Sequence, residues 1–413
     1  MEKQLTCKLT VLLVVALTTF GAVAEDVNWD ADGGVGGQWN NNLNWDTNTV
    51  PLATETASGN VGGTSSASQP IVIDAPATCA VFELSYGQSA YLAINSDLDV
   101  TDGSLIIGGK VPAAATHNDG TVTVNGDFNL ATRQADATYT ITGSDAVMDV
   151  DGVFVFGRGD SGADARFKQQ AGTATFGGMA SSAVGGSGYT GYSAYELSEG
   201  TLSVTGTARL GWKNAGWFDF SQTGGTATFA SVNLGTDHND IGHGRLVLAE
   251  AADFTATGNV TMGDPSGTNG GTGAIVIDGG KTGAGTDLII DGDLAMRSQS
   301  TLQFTIDSTA VADPAAMRTV DVGGNVSFTE GSVIDLQFDE DATATPGTWT
   351  LLTWDGSLTD SGLSLAPGVD EDLWSFELIE GGSGELGVTY VPEPASLVLL
   401  ALAGTALPRR KRR

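Results

Sequence analysis

Between residues 95 and 327 the chain alternates apolar and polar positions in short runs, and the runs recur. A unit of glycine, threonine, apolar, threonine or serine, apolar appears at Gly120-Thr121-Val122-Thr123-Val124, Gly172-Thr173-Ala174-Thr175-Phe176, Gly200-Thr201-Leu202-Ser203-Val204 and Gly225-Thr226-Ala227-Thr228-Phe229. Asp253-Phe254-Thr255-Ala256-Thr257 is a degenerate fifth copy. Alternation with period two marks a strand buried on one side. The last three intervals are 28, 25 and 28 residues, and the 52 between Gly120 and Gly172 is two periods, with Asp145 to Val150 as the weakened middle member. Each unit is followed by a second strand, such as Ala208-Arg209-Leu210, Val232-Asn233-Leu234 or Val260-Thr261-Met262. A third precedes it, such as Tyr195-Glu196-Leu197, Phe218-Asp219-Phe220, Leu246-Val247-Leu248 or Ile275-Val276-Ile277. Three strands of about five residues, joined by glycine and asparagine turns, fill one such period.

One coil of this kind cannot bury its apolar side alone and becomes stable only by stacking at the ~4.8 Å interstrand spacing. The pattern therefore predicts an all-β fold, a parallel β-solenoid of roughly eight to ten coils and 40 to 50 Å. A β-sandwich with accidental likeness among its strands is the competing architecture. Parity points Val122, Ala174, Leu202 and Ala227 inward. It sets Thr121/Thr123, Thr173/Thr175, Thr201/Ser203 and Thr226/Thr228 outward as a hydroxyl ladder.

The flanks differ from the repeats. Residues 25–94 thread Trp29, Trp39 and Trp45 among glycine and asparagine turns and read as an N-terminal capping β module. An uncovered solenoid end would expose core and unpaired strand edges. Stacking of these tryptophans on sugars is the functional alternative, and Asp30-x-Asp32-Gly33 reads as a turn, because it lacks the further spaced acids of a calcium loop. Residues 328–390 replace alanine with tryptophan in alternating strands around Val333–Phe338, Trp349–Trp354, Trp374–Leu378 and Leu386–Tyr390, a C-terminal β cap. The tryptophan-rich entry resembles that of many bacterial secreted β-solenoids. The repeats from Leu98 to Leu336 resemble autotransporter-associated β-strand repeats, which implies a right-handed parallel β-helix. The chain departs from that pattern where a large outer-membrane β-barrel would follow, and carries a short basic tail there.

Both termini read as addresses. Lys3 and Lys8, the apolar run Leu9 to Phe20 and the small-x-small site Ala22-Val23-Ala24 form a secretory signal peptide, 1–24, so the mature chain starts at Glu25. Residues 391–413 comprise Pro392-Glu393-Pro394, an apolar run from Ala395 to Leu407 and the basic stop Arg409-Arg410-Lys411-Arg412-Arg413. As a helix the run covers about 20 Å, short of the ~30 Å hydrocarbon core. This tail resembles the PEP-CTERM sorting signal that exosortases recognise on exported bacterial proteins. The resemblance implies recognition and processing at Pro392-Glu393-Pro394, an exosortase-type sorting enzyme as partner, and transient membrane anchoring before release to the cell surface or matrix.

Charge and chemistry narrow the rest. Without the signal and everything after Pro392, 11 Lys and Arg stand against 47 Asp and Glu, a net charge of -36. That sign excludes nucleic acid as a partner; it suits solubility or, as the sharper reading, cation binding. Cys7 is lost with the signal, which leaves Cys79 as the single mature cysteine, read as a buried small apolar residue. Gly242-His243-Gly244 is similar to a polygalacturonase motif, yet the chain has no Asp-Asp pair, and no Arg-x-Lys follows His243. His238 and His243 beside Asp237 and Asp240 lack a third spaced ligand, so no metal and no cofactor are expected. The expectation is a non-enzymatic structural or adhesive solenoid in contact with extracellular polysaccharide. The alternatives are a polysaccharide-active β-helix enzyme, lyase or hydrolase, and an ice-binding solenoid, which the Thr-x-Thr ladder resembles.

Overall fold

The computed structural model describes residues 26–30, 37–59, 65–84, 89–132, 135–157, 163–182, 191–213, 216–235, 242–264, 270–279, 287–340, 342–379 and 383–392. They form a parallel β-solenoid of about 11 turns with almost no helix. Each turn lays down three strands on three faces, here called I, II and III in chain order. Face I is a 13-stranded sheet. Faces II and III share one bent 22-stranded sheet, because strands such as Thr201–Lys213 run through the corner between them. The Gly-Thr unit lies on face II, with its preceding strand on face I and its following strand on face III.

Register follows the repeat. Thr121, Val147, Thr173, Thr201, Thr226 and Asp253 stand above one another on face II, so the weakened member at Val147 is a full coil. The fifth copy is displaced by one residue from its expected alignment: Asp253 pairs with Thr226 rather than standing over Gly225. Packing decides this. Phe254 takes the inward place of Ala227 and Ala256 that of Phe229, so the pair keeps its volume while the ring moves along the strand. Phe254 then stacks on Phe229 with centroids 5.0 Å apart. Parallel pairing also begins earlier and ends later than residues 95–327, from Asp26–Asn28 against Thr56–Gly59 to Ser364–Leu365. Hence the turns outnumber the eight to ten expected.

The glycine of the motif has a backbone reason. Gly120, Gly172, Gly200 and Gly225 have φ of 80°, 67°, 89° and 68°, the left-handed region. A Cβ at Gly200 would also strike the carbonyl of Gly172 in the coil before. Glycine is required where the turn takes this form, and at Gly120, Gly172 and Gly225 its own carbonyl points at the corner between faces I and II.

That corner carries buried polar side chains in alternate coils. One inward column reads Ile94, His117, Ile141, Gln169, Leu197, Gln222, Leu248. Gln169 Nε2 donates to the carbonyls of Gly172 and Thr201 at 3.1 and 2.9 Å, and Gln222 Nε2 to those of Gly225 and Asp253, both at 2.9 Å. His117 Nε2 bonds the Gly120 carbonyl at 2.9 Å. A tyrosine hydroxyl from the next coil completes two of the three, Tyr139 at 3.2 Å from His117 Nδ1 and Tyr195 at 2.6 Å from Gln169 Oε1. The tyrosine rings belong to an aromatic column, Tyr139, Phe167, Tyr195 and Phe220, with centroid spacings of 5.2, 4.7 and 5.3 Å.

Outer corners are stapled by carboxylates and amides. Asp97 accepts from the backbone N–H of Thr121 at 2.8 Å, Asp136 from Asp164 and Asp127 from Val153, both at 2.9 Å. Asn259, Asp293 and Asn325 repeat the arrangement onto Asp293, Asn325 and Ser357, at 2.9, 2.7 and 2.9 Å. Part of the acidity is therefore structural, since each staple pairs an N–H that the turn leaves without a ladder partner.

Aromatic clusters close both ends. Trp29, Trp39 and Trp45 are buried, pack edge to face at 5.0 and 4.8 Å, and rest on Phe82, so none presents a ring face to solvent. Far along the rod, Gly347–Trp354 and Trp374–Ile379 pair antiparallel with Gly384–Tyr390, which ends the parallel ladder. Trp349 is fully buried there and donates Nε1–H to the Ala310 carbonyl at 2.9 Å. The signal peptide with Ala22, Ala24 and Glu25, the apolar run 395–407 and the basic stop 409–413 lie outside the described residues. Among the described residues no helix is long and apolar enough to cross a membrane.

Candidate functional site

The outer side of face I gathers aromatic and ionised side chains on four neighbouring strands, Ala165–Gln169, Tyr192–Leu197, Trp217–Gln222 and His243–Ala249. Parity explains which residues project. In Trp217-Phe218-Asp219-Phe220-Ser221-Gln222 the phenylalanines and Gln222 point into the core, which leaves Trp217, Asp219 and Ser221 on the outside. Stacking then aligns Tyr192, Trp217 and His243 in one row, Arg166, Ala194, Asp219 and Arg245 in a second, and Lys168, Glu196 and Ser221 in a third. Rows lie about 6.8 Å apart and strands about 4.8 Å apart.

Trp217 is 51% exposed. Its indole lies nearly parallel to the His243 ring, at 17° with centroids 4.3 Å apart. His243 Nδ1 is held in turn by Thr272 Oγ1 at 2.7 Å. Burial holds the His243 ring below its ordinary pKa, so it is neutral at pH 7.

Beside this stack sits a bidentate ion pair. Arg245 Nε and Nη2 donate to the two oxygens of Asp219 at 3.1 and 2.7 Å, and the Tyr192 hydroxyl donates to Asp219 Oδ2 at 2.8 Å. The Asp219 side chain is 8% exposed, and these three bonds satisfy its charge. Burial, and then the bond to Asp219, pushes Tyr192 up to about 12, while the same carboxylate raises Arg245 further. Arg245 stays charged and Tyr192 stays protonated across the physiological range. Arg166 lies over the Tyr192 ring at 5.6 Å and 3.6 Å from Asp164. Lys168 and Glu196, 3.5 Å apart, flank a shallow depression of about 330 Å³ that Ser198, Ser221 and Thr223 also line.

The other candidates fall elsewhere. His243 of Gly242-His243-Gly244 belongs to the aromatic row. Its flanking glycines are packing residues, since a Cβ at Gly242 would meet the Gly211 carbonyl and one at Gly244 the Leu210 carbonyl. His238, Asp237 and Asp240 lie outside the described residues. Among the described residues no group of three His, Cys, Asp or Glu side chains is placed to hold a metal ion. Cys79 is fully buried, with its thiol raised to about 12 by that burial, so it packs as a small apolar group. Pro392 follows the last strand, Gly384–Tyr390, while Glu393 and Pro394 fall outside the described residues.

On face II the threonines project outward and Val122, Ala174, Leu202 and Ala227 are buried, as parity requires. The hydroxyl ladder is broken at Val147 and Asp149, and runs as Thr-x-Thr or Thr-x-Ser through only three successive coils, those of Thr173, Thr201 and Thr226. Sequence reasoning missed the face I cluster, although Trp217 and Asp219 share the outward parity of one strand. No family model, no curated protein and no solved structure matches this chain.

Proposed function

We propose that this chain is an exported structural or adhesive protein of the cell surface or extracellular matrix, a right-handed β-solenoid that displays face I to its surroundings. The observation that carries this reading is the contrast between face I and the remainder. A chain with a net charge of -31 gathers an exposed tryptophan and three ion pairs on one sheet face of a rod whose two ends are closed by aromatic clusters. Closed ends favour a rod of defined length over open head-to-tail polymer. A continuous 13-stranded sheet face suits lateral contact with polysaccharide or with another cell.

Sorting through the C-terminal signal completes the proposal. In this reading the apolar run from Ala395 to Leu407 holds the chain in the membrane, Arg409–Arg413 keep its end on the cytoplasmic side, and an exosortase acts at Pro392-Glu393-Pro394. Mass spectrometry of the protein from its native cells tests this, with wild type compared to a strain lacking the sorting enzyme. A mature form from Glu25 to near Pro392 in wild type, and a chain extending to Arg413 in the mutant, is the expected result. An intact C-terminus in both strains would reduce the tail to a plain anchor.

A further inference from the structure

From the outer side of face I we infer that the Trp217 row is a binding platform for a neutral oligosaccharide; this rests on the surface-contact role proposed above and adds the ligand class. Trp217 is the most exposed tryptophan among the described residues. One face of its indole is covered by His243, at 4.3 Å. With half the residue still exposed, the indole keeps area open to a ligand. The Tyr192 hydroxyl is drawn diagonally to Asp219, two residues along the strand of Trp217. The ring is therefore pre-oriented before any ligand arrives, held by His243, which Thr272 holds in turn.

The surroundings select the chemistry. A pyranose ring offers an apolar C–H face for stacking and hydroxyl groups around its edge. Trp217 supplies the first contact. The second comes from Arg245, whose guanidinium spends two N–H groups on Asp219 and is half-exposed, and from Ser221 and the Lys168–Glu196 pair farther along the sheet. From Trp217 to Ser221 is about 13 Å along the strand, enough for more than one sugar ring. Charge argues for a neutral chain. Arg166, Lys168 and Arg245 are each matched by a carboxylate, Asp164, Glu196 and Asp219, so the patch has no excess positive charge to draw a polyanion toward an acidic protein. One exposed indole among polar groups is also too little apolar area for the core of a stable protein interface.

The test uses the mature protein with cellohexaose, mannohexaose and hexagalacturonate, followed by calorimetric titration and tryptophan fluorescence. Binding of at least one neutral hexasaccharide is expected, insensitive to salt, and weakened about tenfold or more by Trp217→Ala, the scale of one lost stacking contact. Trp217→Phe should retain part of the affinity. Because Trp217 is exposed, its variants keep the wild-type unfolding temperature, which separates loss of binding from loss of fold. No binding of either neutral chain, binding of hexagalacturonate alone, or neutral binding untouched by Trp217→Ala would each overturn the platform. None of these outcomes bears on processing of the tail, which the mass of the native protein decides by itself.

Discussion

His117 offers the sharpest probe of how the solenoid satisfies its own corners. It stands in the inward column where Gln169 and Gln222 stand two and four coils later. In its neutral form it does what Gln169 does: Nε2–H donates to a turn carbonyl, here Gly120, and the other polar atom receives a tyrosine hydroxyl, here Tyr139. His117→Gln should therefore preserve both bonds and change stability by no more than about 1 kcal/mol. His117→Ala removes them, strands the Gly120 carbonyl and the Tyr139 hydroxyl in the core and leaves a cavity, at a cost of about 3 to 5 kcal/mol. The two variants also differ from wild type in acid. Burial lowers the His117 pKa from 6.5, against smaller opposing effects from hydrogen bonds to Gly120 and Asp119 and from the Asp119 charge. A base with a lowered pKa binds fewer protons folded than unfolded, so its contribution is complete above about pH 6.5 and is lost as pH falls toward the folded-state value. Urea unfolding of wild type and His117→Gln from pH 8 to about pH 5, above the ordinary carboxylate range, isolates this effect. His243 titrates in the same window and is common to both proteins, so the difference between the two curves belongs to His117. If His117→Gln were as unstable as His117→Ala, or lost stability in acid as steeply as wild type, the shared role of the corner residues would be wrong.

Two further substitutions test neighbouring steps. Among the described residues Gln222 Oε1 is buried without a partner, because Leu246 stands where Tyr139 and Tyr195 stand in their own coils. Leu246→Tyr should be more stable than Leu246→Phe by about 1 kcal/mol, and equal unfolding midpoints would mean that the added hydroxyl does not reach Gln222. Gly200→Ala combines a left-handed backbone with a collision against Gly172, so a loss of about 2 kcal/mol or more is expected in the same assay, whereas a change within about 0.5 kcal/mol would refute the steric account of the repeat glycine.

Alternation and recurrence were readable along the chain because both are local or periodic. Thr-Leu-Ser-Val at 201–204 states its own parity, and a period of 25 to 28 residues states that coils stack. What escaped depends on which atoms meet across coils. The one-residue displacement at Asp253 is set by where the Phe254 ring finds Phe229, and the local pattern Asp-Phe-Thr-Ala-Thr holds no trace of that partner. His117, Gln169 and Gln222 break the apolar rule at inward positions, and taken singly each looks like a fault in the strand. Their reason lies three residues ahead, in a glycine turn that points a carbonyl at the corner. The face I cluster is harder still. Trp217 and Asp219 declare themselves outward, but Tyr192, Arg245 and His243 reach them only through strand stacking across 25 to 28 residues of chain, so a shift of one residue in either coil would turn those side chains into the core. The glycine turns at Gly172, Gly200 and Gly225, which follow three of the four cluster strands, help hold that register. The cluster and the fold therefore share one determinant, and a substitution such as Gly200→Ala, remote from every side chain of the cluster's outer row, should disturb the Trp217 stack along with stability.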